Sequence, residues 1–196
     1  MRDLDAQHGV GEVRMKRLSD AAGVMRMKDR RRVEKWFDQF ESHFPQLFFS
    51  VYYGSLDEVT NIRQFGMWLL NHAAYEDVDL SRPNEGGVLL VVDVDSKVAS
   101  LSFGYLLDVY LTEDDTFRIL SKAHPHFLQG NYYKALRVIM NMLSAVLRKR
   151  SRQAGRNVEP FERLAGGNQQ GVGEILQRIR PLQAQEIVQE QEEIAK

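Results

Sequence analysis

The chain has 196 residues, of which 43% are hydrophobic and 27% charged, with a formal net charge of −1 and no cysteine. This length suffices for one domain with a buried core and an additional arm or tail. The near-neutral charge argues against nucleic acid as a partner, and the lack of cysteine excludes disulfides, thiolate nucleophiles and cysteine-based zinc sites.

Residues 1–17 are polar and predict a flexible N-terminal arm. From residue 28 to residue 42, apolar side chains recur at spacings of three and four, which predicts an amphipathic helix with Arg30 and Arg31 on its polar face. Residues 14–35 contain nine Lys and Arg against three Asp and Glu. This basic face is either solvated or binds an acidic protein or lipid surface.

The central part of the chain predicts a sheet. The aromatic and branched run 47–53 is typical of a central strand that is buried on both faces. Ser55 and Glu58 fit a capping box and predict a helix from there to about residue 74. Two further apolar runs, 88–94 and 98–103, are separated by a short polar turn and predict an antiparallel hairpin.

Two helices are expected after the hairpin. Thr112 is a favourable N-cap, and Glu113 and Asp114 in the first turn suit the positive end of the helix dipole. This helix is predicted to end near Pro125, and a longer one to begin near Asn131 and end in basic residues.

Residues 151–196 are rich in Gly, Gln, Glu and Arg, and they predict a polar, partly helical C-terminal tail. Ile175 and Ile179 belong to a short apolar stripe in this tail, which suits docking in a partner's groove. The first thirty residues contain no signal-like apolar run, and no stretch approaches a membrane span. We therefore expect a cytoplasmic protein that could touch a membrane peripherally, or a periplasmic or lumenal one if an export signal was removed.

Several short motifs occur in a definite order between residues 18 and 150. They are Asp20-Ala21-Ala22-Gly23-Val24-Met25, Gly87-Val88-Leu89-Leu90, a charged turn from Asp93 to Lys97, Gly104-Tyr105, Leu111-Thr112-Glu113 and Pro125-His126-Phe127-Leu128-Gln129-Gly130-Asn131-Tyr132. In order and spacing they resemble the TPM-domain family, which is named from a thylakoid lumen protein, a photosystem II repair protein and a modulator of a levamisole-sensitive receptor. The resemblance implies a three-layer α/β/α sandwich with a small mixed sheet over residues 18–150. Leu106 and Val109 replace glycines of the family pattern.

The resemblance also suggests where a site would lie. Relatives are reported to bind divalent metal in an acidic patch, and some are described as acid phosphatases. The corresponding carboxylates here are Asp108, Glu113 and Asp114, and Asp20 could join them. Clustered oxygen ligands of this kind suit Ca²⁺ or Mg²⁺. The alternative is that the acidic residues only cap a helix.

Gly104 and Tyr105 are candidates for the rim of a ligand cleft, although Tyr105 could instead pack over the sheet edge. The sequence contains no phosphate-loop, nucleophile-elbow or zincin motif. It therefore favours a non-enzymatic interaction, assembly or repair factor, with a membrane-associated complex as one expected target and a divalent-metal site as an additional expectation. A metal-dependent acid phosphatase that uses the acidic rim is the alternative.

Overall fold

The computed structural model describes residues 11–57 and 60–156. The chain divides into two units at Ser151, and the sheets and their cores lie in the first. The described strands are β1 Val13–Met15, β2 Leu18–Asp20, β3 Phe48–Gly54, β4 Ala73–Tyr75, β5 Gly87–Asp93 and β6 Val98–Phe103. The described helices are α1 Met27–His43, α2 Ile62–His72, α3 Glu113–Leu128 and α4 Tyr132–Arg156.

Four strands form the main sheet, in the order β2-β3-β5-β6. Strands β2, β3 and β5 are parallel, whereas β6 runs antiparallel to β5, as the predicted hairpin requires. Strands β1 and β4 form a separate parallel pair. The register aligns Tyr53 with both Asp20 and Val92, and it aligns Val88 with Phe103. The small mixed sheet predicted from the sequence is thereby confirmed.

Strand β5 lies at the centre of a three-layer arrangement, and all seven of its residues are buried. Val88, Leu90 and Val92 pack in a core with side chains of α1, α3 and α4. Leu89 and Val91 point to the other face and pack with α2. Because side chains alternate along a strand, this division places three helices on one face of the sheet and one on the other. The predicted α/β/α sandwich is confirmed.

The two parallel connections of the sheet pass over opposite faces. The connection from β2 to β3 runs through α1, and the connection from β3 to β5 runs through α2. Both step in the same direction across the sheet, so they have opposite hands, and one departs from the right-handed rule. The connections therefore diverge at the carboxyl ends of β2 and β3, the position at which open α/β sheets usually form a crevice.

The N-terminal segment is more ordered than its polar composition predicts. Residues 13–15, which the sequence assigned to a flexible arm, form β1 and pair with β4. Just after them, the Arg17 guanidinium contacts Glu41 at 2.6 Å, Asp38 at 3.1 Å and Asp77 at 3.3 Å. Burial opposes the charge of Arg17, but Glu41 and the other carboxylates raise its pKa above the usual value. This ion-pair network connects the segment to α1 and to the loop after β4.

Two predicted helix ends differ from the structure. Helix α2 begins at Ile62 rather than near Ser55, because Asn61 is its N-cap and accepts from the backbone N–H groups of Arg63 (3.0 Å) and Gln64 (3.2 Å). Asparagine is a strong N-cap residue, so the helix starts after Asn61 and not after Ser55.

Helix α3 does not end at Pro125 but continues to Leu128. Its end is set by Gly130, whose φ of 68° is in the left-handed region and whose N–H donates to the Phe127 carbonyl at 2.9 Å. Glycine commonly ends helices in this way, whereas Pro125 lies inside the last turn and does not end the helix. None of the helices in the described part is long and apolar enough to cross a bilayer.

Gly104 is packed against the chain just before β5. A Cβ atom on Gly104 would lie 2.2 Å from the Glu85 carbonyl oxygen, whereas a Cβ on Gly11 would meet nothing within 4 Å. We expect Gly104→Ala to lower the free energy of unfolding by about 2 kcal/mol or more, because backbone must move to admit the methyl group. Urea denaturation of both variants measures this, with Gly11→Ala as the control. Equal stability of the two variants would contradict the close packing.

Candidate functional site

Asp20 ends β2 at the carboxyl edge of the sheet, which we define as the edge where β2, β3 and β5 end. Its side chain is fully buried. One carboxylate oxygen accepts from the Val24 N–H at 2.9 Å. The other accepts from the Met25 N–H at 2.9 Å and from the Arg30 guanidinium at 2.6 Å. Asp20 therefore fixes the turn between β2 and α1, and its oxygens are already engaged.

The Tyr53 side chain lies beside Asp20 on the neighbouring strand. Its hydroxyl is buried and has no hydrogen-bond partner among the described residues. The ring packs edge-on against Tyr132 at the start of α4, with centroids 5.7 Å apart. Burial, and then the Asp20 carboxylate, raise the pKa of Tyr53 well above its usual value. The hydroxyl therefore stays protonated at neutral pH.

The turn between β5 and β6 completes the carboxyl edge. Asp93 is buried and accepts hydrogen bonds from the Ser96 hydroxyl and the Asp95 N–H, as turn chemistry predicts. Lys97 has a φ of 60°, and its ammonium group donates to the Val94 carbonyl at 2.6 Å and to the Tyr132 hydroxyl at 2.8 Å. The turn is therefore held against the first residue of α4.

Five of the predicted site residues lie at the opposite edge of the sheet: Gly104, Tyr105, Asp108, Glu113 and Asp114. Strand β6 is antiparallel, so it ends beside Val88 at the start of β5, and Gly104 follows there. Helix α4 starts beside Tyr53, and its Arg150 reaches the first turn of α3, about 27 Å further along the helix. The structure therefore does not bring Asp20 together with Asp108, Glu113 and Asp114. Side-chain periodicity cannot reveal this, because it does not specify strand order or direction.

The three acidic residues at this opposite edge differ in their surroundings. Asp108 is exposed, although partial burial raises its pKa. Glu113 is also exposed and pairs with Arg63 at 3.3 Å. Asp114 is exposed as well. Their solvated positions agree with the alternative that the acids at the start of α3 stabilise the helix dipole.

Asp115 is the buried acid of this turn. Its carboxylate accepts from the Thr112 hydroxyl at 2.9 Å and pairs with Arg118 at 2.9 Å and Arg150 at 3.4 Å. Thr112 and Asp115 also form the expected reciprocal cap. The spacing of Thr112 and Asp115 was visible in the sequence, whereas the contact with Arg150 depends on how α4 packs against α3.

The predicted metal ligands do not form one donor set. Calcium takes six to eight oxygen ligands and magnesium takes six. Within residues 11–57 and 60–156, no three His, Cys, Asp or Glu side chains are placed to hold one ion. Asp20 is separated from the other acids, and its oxygens bind Arg30 and the backbone. The four predicted ligands are therefore not gathered in one place among the described residues, and a Ca²⁺ or Mg²⁺ site stays a prediction.

The remaining predicted residues are the rim pair Gly104 and Tyr105, the basic pair Arg30 and Arg31, and the tail pair Ile175 and Ile179. Tyr105 is 58% exposed and starts a short 3₁₀ helix, while Gly104 is held against the loop before β5. Arg30 binds Asp20, whereas Arg31 is exposed on the predicted basic face. The tail residues Ile175 and Ile179 lie outside the described residues.

A groove between α1 and α4 was not predicted from the sequence. We define the α1–α4 groove by its lining residues Trp36, Gln39, Phe40, His43, Arg137, Met140, Asn141, Ser144, Ala145 and Arg148, and its volume is about 450 Å³. Trp36 is half buried, and its ring is tilted against that of Tyr133 with the two centroids 4.8 Å apart. The Arg137 guanidinium lies 6.0 Å from the centre of the Trp36 ring. In the sequence, polar residues recur at helical spacing from Arg137 to Arg148, and this pattern indicates an exposed face of α4.

Arg30 and Arg31 offer a matched comparison. Replacing Arg30 by Gln leaves the buried Asp20 carboxylate without its cation, and we expect a loss of about 3 kcal/mol in the free energy of unfolding. Arg31→Gln removes an exposed charge and should change stability by less than about 0.5 kcal/mol. Chemical denaturation of both variants measures the difference. Equal losses would contradict a structural role for the Asp20–Arg30 pair.

The stability contributed by Asp115 should depend on pH. Burial opposes its ionisation, but hydrogen bonds from Thr112 and the charges of Arg150 and Arg118 outweigh burial and lower the pKa below 3.8. Asp115→Asn should therefore cost about 1–3 kcal/mol at neutral pH. Because the folded pKa is lowered, this cost should persist above about pH 4 and shrink as the pH falls through the folded pKa.

Urea denaturation of Asp115→Asn and wild type, between about pH 3 and pH 7, measures this difference. Asp114→Asn is the control, because the Asp114 carboxylate is exposed. Its loss should change the free energy of unfolding much less. If the difference in the free energy of unfolding between Asp115→Asn and wild type did not change with pH, a charged interaction of Asp115 would be contradicted.

The sequence and fold were compared with known proteins. A comparison with curated proteins found no match. The fold is similar to the N-terminal domain of a protein from P. gingivalis, with a TM-score of 0.54 and 22% identity over 67% of this chain and 82% of that chain. It is also similar to the N-terminal domain of the cg2496 protein from Corynebacterium glutamicum, with a TM-score of 0.52 and 10% identity over 67% and 79% of the two chains.

These low identities bear on the fold alone. A family model of the TPM domain, named TPM_phosphatase, matches residues 18–146, which cover the main sheet and most of α4. The matched range agrees with the motif order that first suggested the resemblance. This chain belongs to the TPM-domain family.

Proposed function

We propose that this TPM-domain protein acts by binding another protein, as an assembly or repair factor in the cytoplasm or at a membrane surface, and not by hydrolysing a substrate. The observation that carries the proposal is the α1–α4 groove. Its floor includes Phe40 and Met140, and Trp36 is partly accessible beside them. Aromatic, Met and Arg side chains are enriched at protein interfaces.

The shape of the groove also supports a binding role. Its floor is apolar, and its borders carry exposed polar residues such as Gln39, Asn141 and Arg148. An apolar centre within a polar rim is the usual arrangement of a protein interface. Two parallel ridges of side chains, one from each helix, suit an elongated occupant.

The structural roles of three buried aspartates also support protein binding over hydrolysis. Asp20 holds the turn before α1, Asp93 holds the hairpin turn, and Asp115 holds the start of α3. Each of these buried carboxylates is occupied by groups of the protein itself. A general acid or base needs access to a substrate proton, and these three do not offer it.

A phosphatase is the second candidate, and one observation favours it besides the name of the family model. A cleft of about 410 Å³ is lined by Thr112, Asp114, Asp115, Arg118, Val146, Lys149 and Arg150. Arginine, lysine and hydroxyl groups are suitable ligands for a phosphate. Two of the cations, however, already pair with Asp115.

The two candidates are separated by activity and by a variant in the groove. We expect no hydrolysis of p-nitrophenyl phosphate with Ca²⁺, with Mg²⁺ or with EDTA. Asn141→Trp, which fills the groove, should abolish co-purification of proteins that wild type captures from a native lysate. Lys134→Trp is the control, because Lys134 is exposed on the same helix but does not line the groove.

Hydrolysis that EDTA abolishes would contradict the binding proposal and favour the phosphatase. Capture of the same proteins by wild type and by Asn141→Trp would also contradict it. Circular dichroism of both tryptophan variants would establish that they are folded before capture is compared.

A further inference from the structure

We infer that the occupant of the α1–α4 groove is an acidic amphipathic helix of about three turns, supplied by a partner protein. This inference rests on the proposed protein-binding function and adds the chemistry of the partner.

The charge of the groove is of one sign. Its charged lining residues are Arg137 and Arg148, both from α4. No aspartate or glutamate is among the lining residues. Within the described part of the chain, neither guanidinium forms an ion pair, and both side chains are exposed. Unpaired cations beside an apolar floor suit a partner with carboxylates along its edge.

The spacing of the two arginines indicates the length of the occupant. They are eleven residues apart on one helix, which is about 16 Å along its axis. A ligand with two anionic groups at a similar separation matches this spacing better than a single phosphate or carboxylate does. Eleven residues are close to three full turns, so two glutamates with the same spacing on a partner helix would lie on one side of it.

The floor of the groove suits the apolar face of such a helix. Phe40 and Met140 are buried in the floor, and Trp36 is half exposed between the two helices. Ala145 is a small residue at an exposed position on the wall, so a partner backbone can approach closely. A helix that inserts leucines at intervals of three and four residues is a common way to occupy such a groove.

The test uses labelled synthetic helical peptides and the full-length protein. The acidic peptide carries two glutamates eleven residues apart, beside a stripe of leucines, and the control peptide has glutamine at both positions. Fluorescence anisotropy at low salt measures the dissociation constants. We expect the acidic peptide to bind, and the glutamine peptide to bind at least several-fold more weakly, because each exposed ion pair contributes about two- to fivefold.

Variants of the protein locate the contacts. Arg137→Gln and Arg148→Gln should each weaken binding of the acidic peptide by about two- to fivefold. Lys134→Gln is the matched control and should leave binding unchanged, because this cation is on α4 but outside the groove. Arg148→Glu should lose binding and regain it with a peptide that has lysine in place of one glutamate.

Three outcomes would overturn the inference. Equal binding of the acidic and glutamine peptides would show that the groove does not select acidic helices, and it would leave the proposed function standing. Arginine-dependent binding to phosphatidylserine vesicles without peptide binding would identify a lipid surface as the occupant. Self-association that Arg148→Gln abolishes, again without peptide binding, would identify a second copy of the chain. Hydrolysis of p-nitrophenyl phosphate that EDTA abolishes would be a different result, and it would contradict the proposed function itself.

Discussion

Burial of the central strand β5 on both faces is the constraint on which the rest of the structure depends. No residue of this strand is exposed, and it pairs with β3 on one side and with β6 on the other. Its alternate side chains require apolar cover above and below, which α2 provides on one face and three helices provide on the other. The antiparallel β6 then leads the chain back, so the segment after Phe103 lies far from the ends of the parallel strands.

Buried carboxylates hold the ends of these elements in place. Asp20, Asp93 and Asp115 each accept hydrogen bonds from backbone N–H or hydroxyl groups, and Asp20 and Asp115 also pair with arginine. Such groups are costly to bury unless they are fully paired, so their positions are fixed by the surrounding turns. Asp93 therefore serves the hairpin turn, and Asp115 serves the start of α3.

The elements and the site were predictable to different degrees. The hairpin, the basic helix and the Thr112 cap were visible in the sequence, because each depends on residues that are close together along the chain. The boundaries of α2 and α3 were not, since Asn61 and Gly130 compete with the Ser55 and Pro125 signals. The ordering of residues 13–15 was also missed, because it depends on pairing with β4 and on carboxylates that reach Arg17 from distant positions.

The sequence alone determined the fold class, the antiparallel hairpin and membership of the TPM-domain family, since periodicity and motif order are properties of a linear chain. Only the tertiary structure decided which acidic residues lie together. Asp20 and Glu113 have similar local signals, yet strand direction places them at opposite edges of the sheet. The α1–α4 groove likewise depends on the packing of two helices about one hundred residues apart. Strand order and helix packing arise from contacts between distant residues, and local patterns do not encode them.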